Sequence, residues 1–351
     1  MPSTVSRRSF LSTAAAVGAT AGLGMPHIAR GQTKTLTVSC YGGAYEKFFR
    51  EHLLPDFQKE TGSTVRLALG NAKDNIPLMR AGGVDNPPLD VCMTNEVIAQ
   101  ILRTEGYFMP IPEDKVPNIK DAAPIARYPD NIAVTGLAQP VGIAYRSDLV
   151  SNPPASWKEM FTRTDLRGKI GVYNITNSLG FMFVLLMARI FGGSEQAYDA
   201  AFAEIAKLKP FNQVDFSGTM EIALSRGEVE VAPLDFAAVM RLQKGGMAID
   251  AKVPPEGMVM FDQVFNVSKG SKSKELAFAW VDYILRPLTQ QKLVNDFYAS
   301  PMNLKTVIPP ELASREIMIS GDKLKNVVRH DWATANRQRD VIVDKWNRAM
   351  S

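Results

Sequence analysis

The stretch VSCYGGAYEKFFREHLLPDFQKETGSTV, Val38–Val65, decides how the rest of the chain is read. An apolar run ending at Cys40 meets a glycine pair, Gly42 and Gly43, flanked by Tyr41 and Tyr45. From Ala44 to Glu60 the apolar residues recur at helical spacing, and STVRLAL, Ser63–Leu69, is again β-type. Strand, helix and strand in this order predict a right-handed βαβ crossover and two parallel neighbours in one sheet. The glycine turn then lies at the carboxyl end of a strand, where ligands sit in open α/β sheets. It offers aromatic rings and, at the start of the following helix, backbone N–H groups that the helix itself leaves unpaired.

The same alternation continues outward. A short helix over Asp74–Ala81, a strand in LDVCMT (Leu89–Thr94) and a helix from Glu96 to Glu105 complete one α/β unit to about residue 110. Proline-rich MPIPEDKVPNIKDAAP, Met109–Pro124, interrupts it, and GLAQPVGIAYRSD, Gly136–Asp148, is an extended crossing segment. A second unit follows. It holds a strand in KIGVYN (Lys169–Asn174), a buried helix in NSLGFMFVLLMARIFGG (Asn177–Gly193), an amphipathic helix in AYDAAFAEIAKLKP (Ala197–Pro210), then helix and strand in MEIALSRGEVEVAPLD (Met220–Asp235). After Pro254 and Pro255 the character of the first unit returns between Gly257 and Phe297. A chain that leaves a domain and comes back builds two lobes joined by crossing strands, with a cleft at the hinge.

The amino terminus is set aside from this fold. SRRSF, Ser6–Phe10, precedes an Ala- and Gly-rich apolar run from Leu11 to Gly24, the pattern of an export signal, with cleavage expected near Ala29–Gln32. Arg7 and Arg8 followed by Phe10 and Leu11 match the twin-arginine address. Residues 1–31 carry three positive charges, Arg7, Arg8 and Arg30, and no negative one, so removing them lowers the formal net charge from +4 to +1. No clustered basic surface remains for nucleic acid. The apolar FMFVLLMARIF, Phe181–Phe191, is about half the roughly 20 residues that a bilayer span needs. Cys40 and Cys92, each at a strand end, are read as two buried thiols, with a disulfide as the alternative.

Three segments together resemble one family. SCYGGAYEKFFREHLLPDFQKETGSTVRL (Ser39–Leu67), PPASWKEMFTRTDLRGKIGV (Pro153–Val172) and NVSKGSKSKELAFAWVDYILRPLTQQKL (Asn266–Leu293) are similar, in order, to segments of the extracellular solute-binding proteins of bacterial ABC importers. Val141–Tyr145 points to the spermidine/putrescine-binding type. The resemblance implies a two-lobed α/β fold of the type II periplasmic-binding-protein kind. Each lobe would be a mostly parallel sheet flanked by helices, with lobe 1 formed by residues 32–139 and 257–310 and lobe 2 by residues 140–256 and 311–351. It further implies a periplasmic monomer, reached here through the twin-arginine machinery that Arg7 and Arg8 address, which closes on a small polar solute, polyamine-like or a small zwitterion or anion, and delivers it to an inner-membrane ABC permease. No cofactor is implied. A sensory receptor with the same fold is the alternative reading, and a secreted hydrolase a more remote one.

Strand ends facing the cleft supply the candidate contacts. In the first lobe these are Tyr41, Gly42, Gly43, Ala44 and Tyr45, then Asn95, which is equally well placed as a helix cap. In the second lobe Asn174, Thr176, Asn177 and Ser178 occupy the place where polyamine-binding relatives carry acids, and this stretch has no carboxylate. A buried ammonium needs a counter-charge, so this turn favours a neutral, zwitterionic or anionic ligand held by its Asn and Ser groups and the helix N-terminus, and a cationic amine depends on Asp235, beside Phe236, or on Asp262. In Phe261, Asp262 and Gln263 strand alternation lets only one of the last two face the cleft. Tyr298 and Asn303 are rim candidates. No nucleophile elbow, phosphate loop or metal-binding spacing is present, and His52 and His330 are read as surface histidines. Charges along Lys115–Arg127 and Ser314–Arg339 are read as solvated faces.

Overall fold

A computed structural model describes residues 34–209 and 211–350; the export signal read in residues 1–31 lies outside them. Strand β1 (Thr35–Cys40) enters helix α1 (Ala44–Phe48), which runs through a π-helical turn at Phe49–Leu53 into α2 (Leu54–Thr61). Gly62, left-handed, ends the helix, and β2 (Thr64–Leu69) pairs parallel to β1 as the crossover demands. Helix α3 (Asn75–Gly82), strand β3 (Val91–Thr94), helix α4 (Glu96–Thr104) and the short β4 (Phe108–Met109) follow, with β3 parallel to β1 on its other side.

The proline-rich segment forms three short 3-10 turns and no longer helix. It leads into β5 (Val134–Arg146), buried along nearly its whole length. Helix α5 (Trp157–Thr162), strand β6 (Gly171–Tyr173), helices α6 (Ser178–Gly192) and α7 (Tyr198–Ala206), strand β7 (Asn212–Val214) and helix α8 (Ser217–Arg226) come next. Then come β8 (Val231–Asp235), α9 (Phe236–Lys244), β9 (Ile249–Lys252) and the returning strand β10 (Val259–Ser268). Helices α10 (Lys274–Leu285), α11 (Pro287–Phe297), α12 (Pro310–Ala313), α13 (Trp332–Arg337) and α14 (Arg339–Met350) complete the chain.

The main sheet runs β2-β1-β3-β10-β5-β8, with β4 on β10 and β9 on β5. Among the strands of the described residues, β1–β2, β1–β3 and β6–β7 pair parallel, while β10 is antiparallel to β3 and β5, and β5 to β8 and β9. The two long strands β5 and β10 lie side by side at the centre, and a bulge between Gln263 and Val264 shifts their register. Pro140 sits on β5 just before β8 joins its second edge, so the missing N–H falls where only β10 lies alongside.

The three family-like segments owe much of their pattern to packing. Trp157 is fully buried and its indole N–H donates to Gly257 O at 2.9 Å, while Glu256 accepts from the N–H groups of Trp157 and Lys158. That clamps the start of α5 to the point where β10 begins its return. Gln290, also fully buried, donates to Gly136 O and Ile284 O and accepts from Met302 N, pinning α11 beneath β5.

Helix α6 is buried from Ser178 to Ala188, as expected of a helix apolar on all sides. Cys40 and Cys92 are both free and buried, and burial pushes each thiol up to about 12. The carboxyl-terminal charges are not a uniformly solvated face. The His330 side chain is only 2% exposed, with Nδ1 2.8 Å from Glu195 Oε1, and the Arg339 guanidinium stacks over Phe181 at 4.5 Å, burial lowering its affinity for its proton. Helix α13 lies against α4 and α14 against α7, so this segment joins a helix packed on the central strand β10 to one packed on α6. Trp346 meets Phe202 of α7 edge-on at 6.0 Å and Asn336 donates to Val97 O and Gln100 Oε1 of α4, contacts masked in the sequence by the charges around them.

Candidate functional site

One cavity of about 270 Å³ opens where the strand ends of both halves of the sheet converge. Its first wall is the glycine turn. Gly43 has φ +68°, a conformation that L side chains seldom adopt, and this reverses the chain between β1 and α1. Tyr41 is buried and meets Tyr45 edge-on at 5.2 Å, with Phe261 at 6.2 Å on its other side. The hydroxyls of Tyr41 and Thr94 face each other, yet neither has a partner at hydrogen-bond geometry. Asn95 serves two ends at once. Its Oδ1 caps α4 by accepting from Ile98 N at 3.3 Å, and its Nδ2 lies buried without a partner in the cavity wall.

Across the cavity stands the turn before α6. Asn177 accepts from Leu179 N at 2.8 Å and donates to Asp215 O, leaving Thr176, Asn177 and Ser178 on the wall. Asn174 is spent inside the turn, accepting from the N–H and hydroxyl of Thr176, and does not line the cavity. The turn lies close to the helix because residue 180 is glycine: a Cβ there would sit 2.1 Å from Asn174 O.

The floor is a chain of polar side chains through both central strands. Gln263 Nε2 donates to Tyr45 Oη at 3.2 Å, the Tyr45 hydroxyl donates to Gln139 Oε1, and Gln139 Nε2 donates to Asp235 Oδ1 at 2.8 Å. Ala238 N also donates to that oxygen at 2.8 Å, capping α9, whereas no other described residue donates to Asp235 Oδ2. Asp235, 7% exposed, therefore presents a carboxylate held by neutral donors. Burial raises its affinity for a proton against the opposing pull of Arg241. Glu221 in the same cavity is raised by burial and then by the negative charge of Asp235, again with Arg241 opposing.

Arg241 stacks on Phe297 at 4.7 Å, donates to Phe297 O and stands 4.0 Å from Glu221. With Asp215, the lining holds three carboxylates against two cations, Arg241 and Lys73. Sequence reasoning did not single out Asp215, Glu221, Lys73, Gln139 or Arg241. The signal was present for Asp215 and Phe216, which directly follow a strand, but β7 is three residues long and reads as loop.

The remaining candidates lie elsewhere. Gln263 is fully buried beneath Tyr45, one layer behind the cavity. Tyr298 caps α11 with φ +60° and lies under the Lys244 ammonium at 5.7 Å. Asn303 ties Leu285 O to Lys305 N. Asp262 faces away, since alternation on β10 turns Phe261 toward the cavity and its neighbour to the opposite face. There it accepts from Glu96 N at 3.2 Å and Tyr128 Oη at 3.3 Å.

Burial, reinforced by Glu96, pushes Asp262 up to about 7 from an ordinary 3.8. Between those pH values the folded protein holds a proton that the unfolded chain releases, so this group's contribution to stability falls as pH rises from about 4 to about 7. At 1.36 kcal/mol per pH unit the loss is bounded at about 4 kcal/mol. Melting the wild type and Asp262→Asn at pH 5 and pH 8 checks this. The wild type should lose stability relative to the variant on going to pH 8, and parallel pH profiles would contradict it.

Comparison with known proteins agrees with this geometry. Residues 53–318 match the family model described as bacterial extracellular solute-binding protein. The chain is 23% identical over 293 residues to spermidine/putrescine-binding periplasmic protein 1 of Haemophilus influenzae, covering 80% of this chain and 81% of that one. It is 23% identical over 273 residues to putrescine-binding periplasmic protein PotF of Escherichia coli K12, covering 68% and 71%. The crystal structure of an ABC transporter from Clostridium perfringens superposes with a TM-score of 0.74 at 24% identity, over 90% of this chain and 100% of that one. These neighbours share the two-lobed fold, and the chain belongs to the bacterial extracellular solute-binding protein family.

Proposed function

We propose that the protein is the periplasmic receptor of an ABC importer, and that its cavity takes a small amine-bearing solute, either a polyamine or a short zwitterion. The observation that carries the ligand class is the buried carboxylate of Asp235 with the half-buried one of Glu221 in the same cavity, whose proton affinities both stand raised although Arg241 is beside them. Such a site is short of positive charge, and a ligand ammonium with its several N–H donors supplies it. Tyr41, Phe261 and Phe216 give apolar faces for a methylene chain, and Lys73 offers an anionic or polar far end its partner. The names of the curated relatives, both polyamine-binding, support the same class.

The lobes are assigned as residues 32–139 with 257–310 and residues 140–256 with 311–351, hinged on β5 and β10. Closure then brings the Tyr41–Tyr45 turn onto the Thr176–Ser178 turn. The reading is of capture and release rather than catalysis, by a monomer exported through the twin-arginine route.

A thermal-shift panel of polyamines, amino acids, carboxylates, phosphonates and sugars tests it, followed by uptake of the stabilising solute in a strain lacking the gene. At a hundredfold excess over Kd a ligand that binds only the folded state adds about 2.7 kcal/mol. Stabilisation by an amine, with uptake lost in the deletion strain, is the expected result. Stabilisation without an uptake defect would favour the sensory role.

A further inference from the structure

On the opposite face of β10 lies a second cavity, of about 160 Å³, which shares no lining residue with the first. Asp262 and Met260 form its floor, Glu96 at the start of α4 and Tyr128 one wall, and Met182 of α6 with His330 and Trp332 the other. Its polar groups are acceptors without enough donors. Glu96 binds Arg103 through Oε1 only, and its other oxygen, Oε2, is buried with no partner.

His330 tells the same story. Its side chain is 2% exposed, its Nδ1 faces Glu195, and its Nε2 has no partner. A carboxylate can only accept, so in the neutral ring the proton sits on Nδ1 and Nε2 is a bare acceptor. The Asp262 carboxyl, raised to about 7 by burial and by Glu96, shows the same shortage of positive charge. Of the neighbouring cations, Arg103 is engaged by Glu96 and stacks on Tyr128 at 4.9 Å, while Arg329 lies exposed at the rim with its guanidinium on Ile125 O. Tyr128, Trp332, two methionines and three aliphatic side chains give the rest of the lining, a surface suited to a cation with an apolar tail. Among the described residues no group of side chains is placed to hold a metal ion.

We propose that this second cavity is a binding site for a small alkylammonium ion, separate from the solute cleft, with Asp262 and Glu96 Oε2 taking the charge and Trp332 and the methionines the alkyl chain. A cavity of about 150 Å³ lodges a benzene-sized molecule, so the occupant has about five or six non-hydrogen atoms. Bound there, it would join α4, β10 and the carboxyl-terminal segment through one charge. The inference does not rest on the ligand class proposed for the first cavity.

The test is a titration of the protein with butylammonium chloride, followed by tryptophan emission and calorimetry. The expected result is a saturable emission change that disappears in Trp332→Phe, weakens at least tenfold in Asp262→Asn and is unaltered in Asp235→Asn. Val328→Phe, which fills the cavity from a half-buried wall position without touching a carboxylate, should abolish it as well and stands in if Asp262→Asn does not fold. A response lost in Asp235→Asn but kept in Asp262→Asn or Val328→Phe would overturn the proposal, because the amine would then be in the solute cleft. A non-saturating response would overturn it too, leaving a cavity filled by water.

Discussion

Replacing Asp235 by alanine is expected to weaken solute binding at least a hundredfold while costing about 2 kcal/mol of stability. The stability loss comes from one helix cap, since Ala238 N loses its acceptor, and from the orphaned amide of Gln139. The affinity loss is larger because the ligand ammonium would be buried opposite Glu221 alone, with Arg241 already beside that carboxylate. Removing one partner of a buried, hydrogen-bonded charge pair costs about 2–5 kcal/mol. Asp235→Asn separates the two effects: its carbonyl still caps α9, so it should melt near the wild type yet bind as weakly as the alanine variant. Calorimetric Kd values set beside urea unfolding curves read both. Wild-type affinity in Asp235→Ala would remove the cavity from consideration as an amine site.

The second large effect belongs to Gly180, which touches no solute. A Cβ at this position would lie 2.1 Å from Asn174 O and 2.8 Å from Asn174 C. Both are backbone atoms, so the strain has no flexible side chain into which to relax. Gly180→Ala must therefore push the end of β6 and the 174–178 turn away from α6. Overpacking of a rigid interior costs about 1–3 kcal/mol, occasionally more, and the upper end applies here. Because the displaced turn carries Thr176, Asn177 and Ser178, affinity should fall with stability, by tenfold or more. Gly42→Ala is the control, since a Cβ there meets nothing within 4 Å; its unfolding midpoint should stay near the wild type's. Unfolding curves that coincide for Gly180→Ala and the wild type would show that the turn yields without cost.

Much of this was legible in the chain. Alternating β-branched and amphipathic segments announced the βαβ units, and the glycine turn announced its place at a strand end. The return after Pro254 and Pro255 announced two crossing strands, and β5 and β10 occupy the centre of the sheet. The carboxylates of the cavity were only partly legible. Asp235 ends a strand of five residues with an unbroken apolar approach, so its position could be read. Asp215 follows a strand of three residues, and Glu221 lies within α8, where helical phase cannot say which exposed-looking acid turns inward.

Asp262 and Gln263 were separable in principle by alternation. Which of them faced the cavity depended on the phase of Phe261 along β10, since the nearby bulge adds a residue, Gly136, to β5 and leaves that phase unchanged. His330 and Arg339 were misread because a charged segment is ordinarily solvated. Here their partners, Glu195 and Phe181, stand more than a hundred residues away in sequence.

The most direct test of the central claim is a calorimetric titration of the protein with three solutes of similar length, putrescine, γ-aminobutyrate and glutarate, repeated on Asp235→Asn. Binding of one or both amines, no binding of glutarate, and loss of the amine signal in Asp235→Asn is the predicted result. Tight binding of glutarate, undisturbed by Asp235→Asn, would contradict it and make Lys73 and Arg241 the groups that choose the ligand.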